Sequence, residues 1–402
     1  VSVFFPILFC LMAFVIGLSA GSTVLVGQAW GAQNIEKVRQ VVGSTLFMTV
    51  IGGTVIAFLG VLSARSVLLA LGTDPDVMHL SLPYVQWMLA GSPLLFIYII
   101  YTSILRGVGD SITPLIALGM TSILGLFITP VLIAGHFGFP RLGIIGPAIA
   151  TTIGYLAVLI FLYFYLKKKD HPLKIDGAMC KYIKYDPEIS AKILQLGVPT
   201  GIQMVTTSVA GLVIVGLVNR YGSDATAAYG AVNQVLNYIQ FPALSIAIAA
   251  SIFAAQAIGA GKADSLAKVT RISLGMNIVI TGSLVTLGYL FSKYLMALFI
   301  TDPSVVVLGQ QLLFIVLWSI LFFGASAIFA SIMRASGTVT MPMIINIIAI
   351  LAIELPAAYL FSSWWGLQGI WYGYALAFVC LCIMQGLYYQ FVWKKKAVKV
   401  LI

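Results

Sequence analysis

Charge is what this 402-residue chain has least of: 12 Asp plus Glu and 22 Lys plus Arg, or 8% of the sequence. A water-soluble domain carries about 25% charged residues. So poor a supply cannot cover a water-exposed surface, and a soluble enzyme or binding module is excluded. Cysteine and histidine are also scarce, at four and three residues. Cys10, Cys380 and Cys382 fall in apolar runs and Cys180 in a polar one, without Cys-x-x-Cys spacing or a histidine in a ligand pattern. No metal or redox cofactor is therefore expected. No Gly-x-x-x-x-Gly-Lys-Ser/Thr loop is present, so work driven by nucleotide hydrolysis would need a partner.

What the chain has instead is apolar length, with 61% hydrophobic residues and a mean hydropathy of +1.06. Residues 5–28, 41–64, 80–105, 111–135, 142–166, 193–219, 225–261, 272–292 and 303–333 contain no Asp, Glu, Lys or Arg. Each can cross the hydrocarbon layer as a helix, which takes about 20 residues. Residues 335–393 hold one charge, Glu354, and divide at Ser362-Ser363-Trp364-Trp365-Gly366 into two more spans. The fold class expected is therefore an all-α polytopic membrane protein with about eleven helices in this chain. A membrane β-barrel is excluded, because its strands would alternate in polarity over about ten residues. Residues 1–28 lack the basic start and small-residue cleavage site of a signal peptide and read as a span.

The basic residues are unevenly shared between the two membrane faces. Lys37, Arg39, Arg106, seven lysines between 167 and 192, Lys262, Lys268, Arg271, Arg334, Lys394, Lys395, Lys396 and Lys399 fall on one side, and only Arg65, Arg141, Arg220 and Lys293 on the other. The positive-inside rule makes the rich side cytoplasmic, with the C-terminus inside a plasma (inner) membrane. The net charge of +10 then reflects topology and contact with anionic membrane lipids rather than nucleic-acid binding.

The sequence also repeats itself. Gln28-Ala29-Trp30-Gly31-Ala32 returns as Gln256-Ala257-Ile258-Gly259-Ala260, and Asp74-Pro75, Arg106, Gly109 and Pro114 return as Asp302-Pro303, Arg334, Gly337 and Pro342, all 228 residues on. Gly143 and Gly146 match Gly366 and Gly369 at a spacing of 223. Six helices separate corresponding starts, so both copies cross in the same direction, as a parallel repeat about an axis along the membrane normal. The domains expected are an N-terminal lobe at 1–170, a cytoplasmic linker at 171–190 and a C-terminal lobe at 191–402. The span over 193–219 opens the second copy, and its counterpart would fall at about −35 to −9, upstream of Val1. An intact protein of six plus six helices with both termini cytoplasmic is therefore expected. The repeated residues have structural readings: Gly31 and Gly259 as left-handed helix caps, Arg106 and Arg334 as cations at helix ends, and Pro114 and Pro342 in first turns.

The motifs Gly27-Gln28-Ala29-x-Gly31-Ala32, Leu105-Arg106-Gly107-x-Gly109-Asp110 through Pro114, and Leu142-Gly143-x-x-Gly146-Pro147-Ala148 span the first copy. Gly197-x-Pro199, Gln256-Ala257-x-Gly259-Ala260 and Gly366-x-x-Gly369-x-Trp371 continue through the second. In this order they resemble the multidrug and toxic compound extrusion family of cation-coupled antiporters. The resemblance implies two six-helix lobes forming a V, and export of amphipathic, often cationic drugs in exchange for H+ or Na+. The family's coupling acids do not carry over. One branch has an Asp in the first helix, which this chain lacks; others use a Glu in the seventh family helix or an Asp in the tenth, which fall here near Thr207 and Phe323.

Glu354 is the one acid lying within a span, and an intramembrane acid is a functional hypothesis by default. It sits about 12 residues past Pro342, roughly 18 Å along a helix, and no Lys, Arg or His occupies a central span position. It is the candidate cation-coupling residue, able to take up and release a proton, and Pro356 frees a backbone carbonyl nearby that can help hold Na+. The bland alternative is a neutral Glu bonded to a neighbouring helix. Asn233, Asn237 and Gln240 share one helical face, whose repeat counterparts are the apolar Phe5, Phe9 and Met12. With Gln203, Thr206, Thr207 and Asn346 they suit an ion or substrate cavity, against interhelical bonding as the plain alternative. Tyr155, Gln86, Trp87, Met120 and Met204 are candidates to line it for flat hydrophobic compounds, although such residues more often pack or face lipid.

The function expected is a secondary multidrug efflux antiporter working by alternating access, a monomer with no catalytic residues. The alternative is a lipid-linked precursor flippase of the same superfamily, against which the absence of central Lys and Arg speaks. An intramembrane enzyme lacks any acid, base or metal constellation.

Overall fold

The computed structural model describes residues 5–70, 73–396, 398 and 400–402, with side chains for all of these except 5–10, 75 and 76. Lys399 and the side chains of Phe5, Phe9, Cys10 and Pro75 lie outside the described residues. Helix is the one kind of regular secondary structure among the described residues, which contain no strand. Eleven helices are long and apolar enough to cross a membrane. They are α1 (Phe5–Gly31), α2 (Ile35–Ala70), α3 (Pro75–Gly107), α4 (Ile112–Ala134), α5 (Gly146–Lys168) and α6 (Pro187–Val218). The rest are α7 (Ser223–Gly259), α8 (Ala263–Leu290), α9 (Pro303–Ala335), α10 (Thr340–Trp365) and α11 (Leu367–Lys395). Several run past the charge-free windows. Helix α2 takes in Lys37, Arg39 and Arg65, because long basic side chains can lay their stems along apolar surface and keep their heads at the interface.

By contacts the chain divides into two compact units, one running to Val198 and the other over Pro199–Leu401. In the first unit the start of α6 lies directly on α1. A Cβ on Gly197 would meet the Gly17 carbonyl oxygen at 2.5 Å, and one on Gly21 the Ile193 carbonyl oxygen at 2.5 Å. The segment after α5 is packed rather than loose. Leu173 and Met179 are fully buried, Tyr101 Oη donates to the Leu173 carbonyl at 2.6 Å, and Asp176 Oδ1 accepts from the Met179 N–H at 2.8 Å. Tyr182 lies against Gly43, where a larger residue on α2 would collide with its backbone.

The second unit is built on α7, α9 and α11. Trp371, Leu312, Leu313 and Val316 are fully buried in one apolar cluster, and Ile328, Ile332, Met333 and Trp393 belong to another. Three stretches widen into π-helix: Asn277–Thr281 in α8, Ala349–Glu354 in α10 and Tyr388–Val392 in α11. Such stretches are uncommon and frequent at functional sites.

The backbone carries the repeat further than the residue types do. Left-handed conformations recur at Gln33 (φ 56°) and Gly261 (φ 70°), at Gly109 (φ 90°) and Gly337 (φ 87°), and at Gly143 (φ 54°) and Gly366 (φ 58°). This corrects the reading of Gly31 and Gly259 as left-handed caps. Both remain helical, and the reversal comes two residues later, where the Gln33 N–H reaches the Trp30 carbonyl at 2.9 Å and the Gly261 N–H reaches the Ile258 carbonyl at 3.0 Å. Pro114 and Pro342 do fall in the first turns of α4 and α10, where a missing N–H breaks no helical bond.

Candidate functional site

Glu354 closes the π stretch of α10 and is 8% exposed. The widened turn has a local cause. Pro356 follows directly, has no N–H to donate, and its ring would press on the carbonyl four residues back, at Ala352. Opening the turn relieves that clash and leaves backbone oxygen free of its usual partner beside the carboxyl.

Two tyrosines from other helices come near this acid. Tyr229 on α7 and Tyr374 on α11 both lie within electrostatic reach of Glu354, and their hydroxyls are 3.1 Å apart. Asn233, one turn after Tyr229, donates from Nδ2 to the Tyr229 carbonyl at 3.1 Å. An acid on α10, a hydroxyl pair bridging α7 and α11, and an amide on α7 are thereby brought together in one unit. No Lys, Arg or His forms an ion pair with Glu354 among the described residues. The close approach of α10 and α11 that makes this possible rests on glycine: Gly369 lies against the Phe361 carbonyl, and a Cβ on Gly373 would come 2.8 Å from the Ala358 nitrogen.

A second polar group lies toward the start of α10. Gln385 is 1% exposed and donates from Nε2 to the Pro342 carbonyl at 3.0 Å. Its Oε1, and the Oδ1 of Asn346 one turn beyond Pro342, are buried with no hydrogen-bond partner in the protein. Two such oxygens can accept from water or contribute to holding a hard cation.

The remaining candidates are more dispersed. Asn237 lies on an exposed stripe of α7 with Gln234 and Tyr238, and Gln240 is half-buried beside it. On α6, Thr207 Oγ1 donates to the Gln203 carbonyl at 3.0 Å, which turns its hydroxyl back onto its own helix. Met204 is half-buried on the same helix. Tyr155, Gln86, Trp87 and Met120 belong to the first unit, where the Tyr155 ring packs 5.2 Å from that of Tyr98 and Trp87 is exposed. No group of three or more His, Cys, Asp or Glu side chains able to hold a metal occurs among the described residues.

Sequence reasoning did not single out Tyr229, Tyr374, Gln385 or Asn277. Tyr229 was within reach, since it stands four residues before Asn233 on one face. Asn277 is 1% exposed, accepts from Thr281 Oγ1 and donates to the Leu321 carbonyl, both at 3.0 Å. An Asn in the middle of the run over 272–292 is a polar signal of the kind that marked Asn233.

Eleven membrane-length helices and a tandem repeat define an integral, multi-pass membrane protein. The chain belongs to the MatE family, whose model matches residues 1–131 and 199–360. It is 45% identical over 405 residues to the probable multidrug resistance protein YoeA of Bacillus subtilis, covering 100% of this chain and 87% of that one. It is 30% identical over 388 residues to the probable multidrug resistance protein YpnP of the same organism, covering 96% and 84%. Its fold is similar to that of the Vibrio cholerae MATE transporter VcmN, with a TM-score of 0.90 at 20% identity over 99% of this chain and 89% of that one. The expected family and the all-α polytopic fold are thus both met.

Proposed function

We propose that the protein is a secondary antiporter that exports amphipathic, often cationic drugs by alternating access in exchange for H+ or Na+, with Glu354 as the coupling acid. The family and the multidrug resistance relatives support the substrate class. The observation that carries the coupling role is Glu354 itself: a buried acid within a span, without an ion-pair partner among the described residues, in electrostatic reach of a hydroxyl pair shared by two other helices. Such an acid can exchange a proton when its surroundings turn from dry to wet, and the backbone oxygen that Pro356 deprives of its usual donor suits Na+ equally. Asn233 and the exposed polar stripe of α7 are assigned to the cavity, because amides have no favourable partner in lipid. The lysine-rich side is assigned to the cytoplasm, which puts the C-terminus inside, and the protein is taken to act as a monomer.

The test is ethidium efflux from proteoliposomes under separately imposed pH and sodium gradients, with wild type beside Glu354→Gln. Efflux driven by one gradient and lost in the variant supports antiport and identifies the ion. Efflux that survives the substitution removes Glu354 from coupling, and no efflux under either gradient counts against drug antiport.

A further inference from the structure

At the lysine-rich end of the second unit, α8, α9 and α11 enclose a groove of about 990 Å³ that nothing in the transport reading uses. Its head is cationic. Lys268 and Arg271 stand one turn apart on α8 and Lys394 lies in the last turn of α11, with Asp264 the one acid in the lining. Among the described residues no carboxylate lies within ion-pair distance of any of the three cations. Lys394 is held in place by the Gln390 Oε1 at 2.7 Å and by the face of the Tyr389 ring at 5.3 Å.

Below this head the walls turn apolar, with Leu274 and Ile278 on α8 facing Phe329 on α9. Glycine widens the lower part, since a Cβ on Gly275 would meet nothing within 4 Å. The floor is built rather than accidental. Tyr389 is buried, its hydroxyl 2.7 Å from Thr270 Oγ1, and its ring stands 5.1 Å from Phe329 and 5.0 Å from Trp393.

The repeat supplies a comparison within the chain. Arg271 and Gly275 correspond, 228 residues back, to Gly43 and Phe47. In the first unit that face is already covered by the protein's own linker, with Tyr182 on Gly43 and the Tyr185 ring 6.3 Å from that of Phe47. In the second unit the matching face is open, with Arg271 where the first has a glycine, Lys268 where it has Gln40, and Gly275 where it has the Phe47 ring.

We infer that this groove is a binding site for one anionic phospholipid of the leaflet at the lysine-rich end, its phosphate on Lys268, Arg271 and Lys394 and an acyl chain along Leu274, Ile278 and Phe329. Charge sign selects the occupant: three unpaired cations above an apolar wall match a phosphate ester carried on hydrocarbon, and basic pockets between membrane helices hold such head groups. A zwitterionic lipid offers the same chain with a compensating cation at the head, and a free phosphate offers the head without the chain.

Native mass spectrometry of the full chain, released from micelles containing equal palmitoyl-oleoyl phosphatidylglycerol and phosphatidylcholine, tests this. Wild type retains one phosphatidylglycerol in preference to phosphatidylcholine. The double variant Lys268→Gln/Arg271→Gln binds it about 30-fold more weakly, from two lost basic contacts. Gly275→Leu keeps all three cations, fills the trough and also loses the lipid, while helicity by circular dichroism stays that of wild type. Equal retention of the two lipids, or retention unchanged in both variants, overturns the inference. Displacement of the phosphatidylglycerol by millimolar inorganic phosphate, with Gly275→Leu binding as wild type does, overturns it in favour of a free-phosphate site.

Discussion

Replacing Gly373 with alanine tests whether the glycine contact between α10 and α11 holds the acid in place. The new Cβ would stand 2.8 Å from the Ala358 nitrogen and 2.9 Å from its Cα. Both are backbone atoms of a helix and cannot rotate aside. Carbon atoms pack best at about 3.5–4.0 Å, so the helices must part by at least roughly half an ångström. Overpacking of this kind costs about 1–3 kcal/mol, against which the better helix propensity of alanine returns up to ~1 kcal/mol. Gly386→Ala on the same helix isolates the contact, because its Cβ would meet only the Phe329 ring, at 3.4 Å. It carries the same propensity gain without the backbone collision. Thermal unfolding in detergent should place Gly373→Ala about 1–3 kcal/mol below Gly386→Ala, with ethidium efflux reduced in the former as Tyr374 moves from Glu354. Equal stability of the two variants would refute the argument that the backbones are in contact at Gly373.

Three further outcomes are expected. Gly324→Ala drives a methyl into the Asn277 Oδ1, disturbing two membrane hydrogen bonds of about 0.6 kcal/mol each on average as well as the packing. It should therefore melt well below wild type, while adding Asn277→Ala should reverse much of the penalty in a double-mutant cycle; additive losses would sink the idea. Tyr374→Phe removes the hydroxyl partner of Tyr229 and should shift the pH dependence of efflux more than its maximal rate, which an unchanged profile would contradict. His171 lies outside the spans 3.7 Å from Asp110, with burial pushing its pKa down while the Asp110 carboxylate opposes that shift. A depressed histidine stabilises the fold above its unfolded pKa of about 6.5, and that contribution is lost as pH falls through this value toward the folded one. Melting temperatures between pH 7.5 and 5 should accordingly fall less steeply in His171→Gln than in wild type.

The large features were legible because lipid imposes them on composition. A run without charge long enough to span hydrocarbon has few alternatives to a helix, so the eleven helices stand where the charge-free runs lie, with ends a few residues further out. The acid was legible for the same reason, since Glu354 is alone within a span. What surrounds it was not. Tyr229 and Tyr374 are 145 residues apart, and tyrosine is common enough in membrane helices that nothing in the pattern marks two of them as a pair. The π turns were hidden as well, although Pro356 beside Glu354 gives one of them a cause that can be read backwards. Helix caps misled in the opposite sense: glycine at 31 and 259 suggested the reversal, but the left-handed residue two positions on is glycine in one copy and glutamine in the other.

The packed segment after α5 bears on how the protein meets proteases. Seven lysines lie between 167 and 192, which on composition alone makes this the stretch trypsin should open first. A protease must draw its substrate out into an extended strand, and here the backbone is fastened at Leu173 by Tyr101, at Met179 by Asp176 and at Tyr182 by its seat on Gly43. Lys174 is itself paired with Asp170 and Asp176. Cleavage therefore has to wait for these fastenings to release together, so the rate of nicking in this segment becomes a clock for local opening of the first unit.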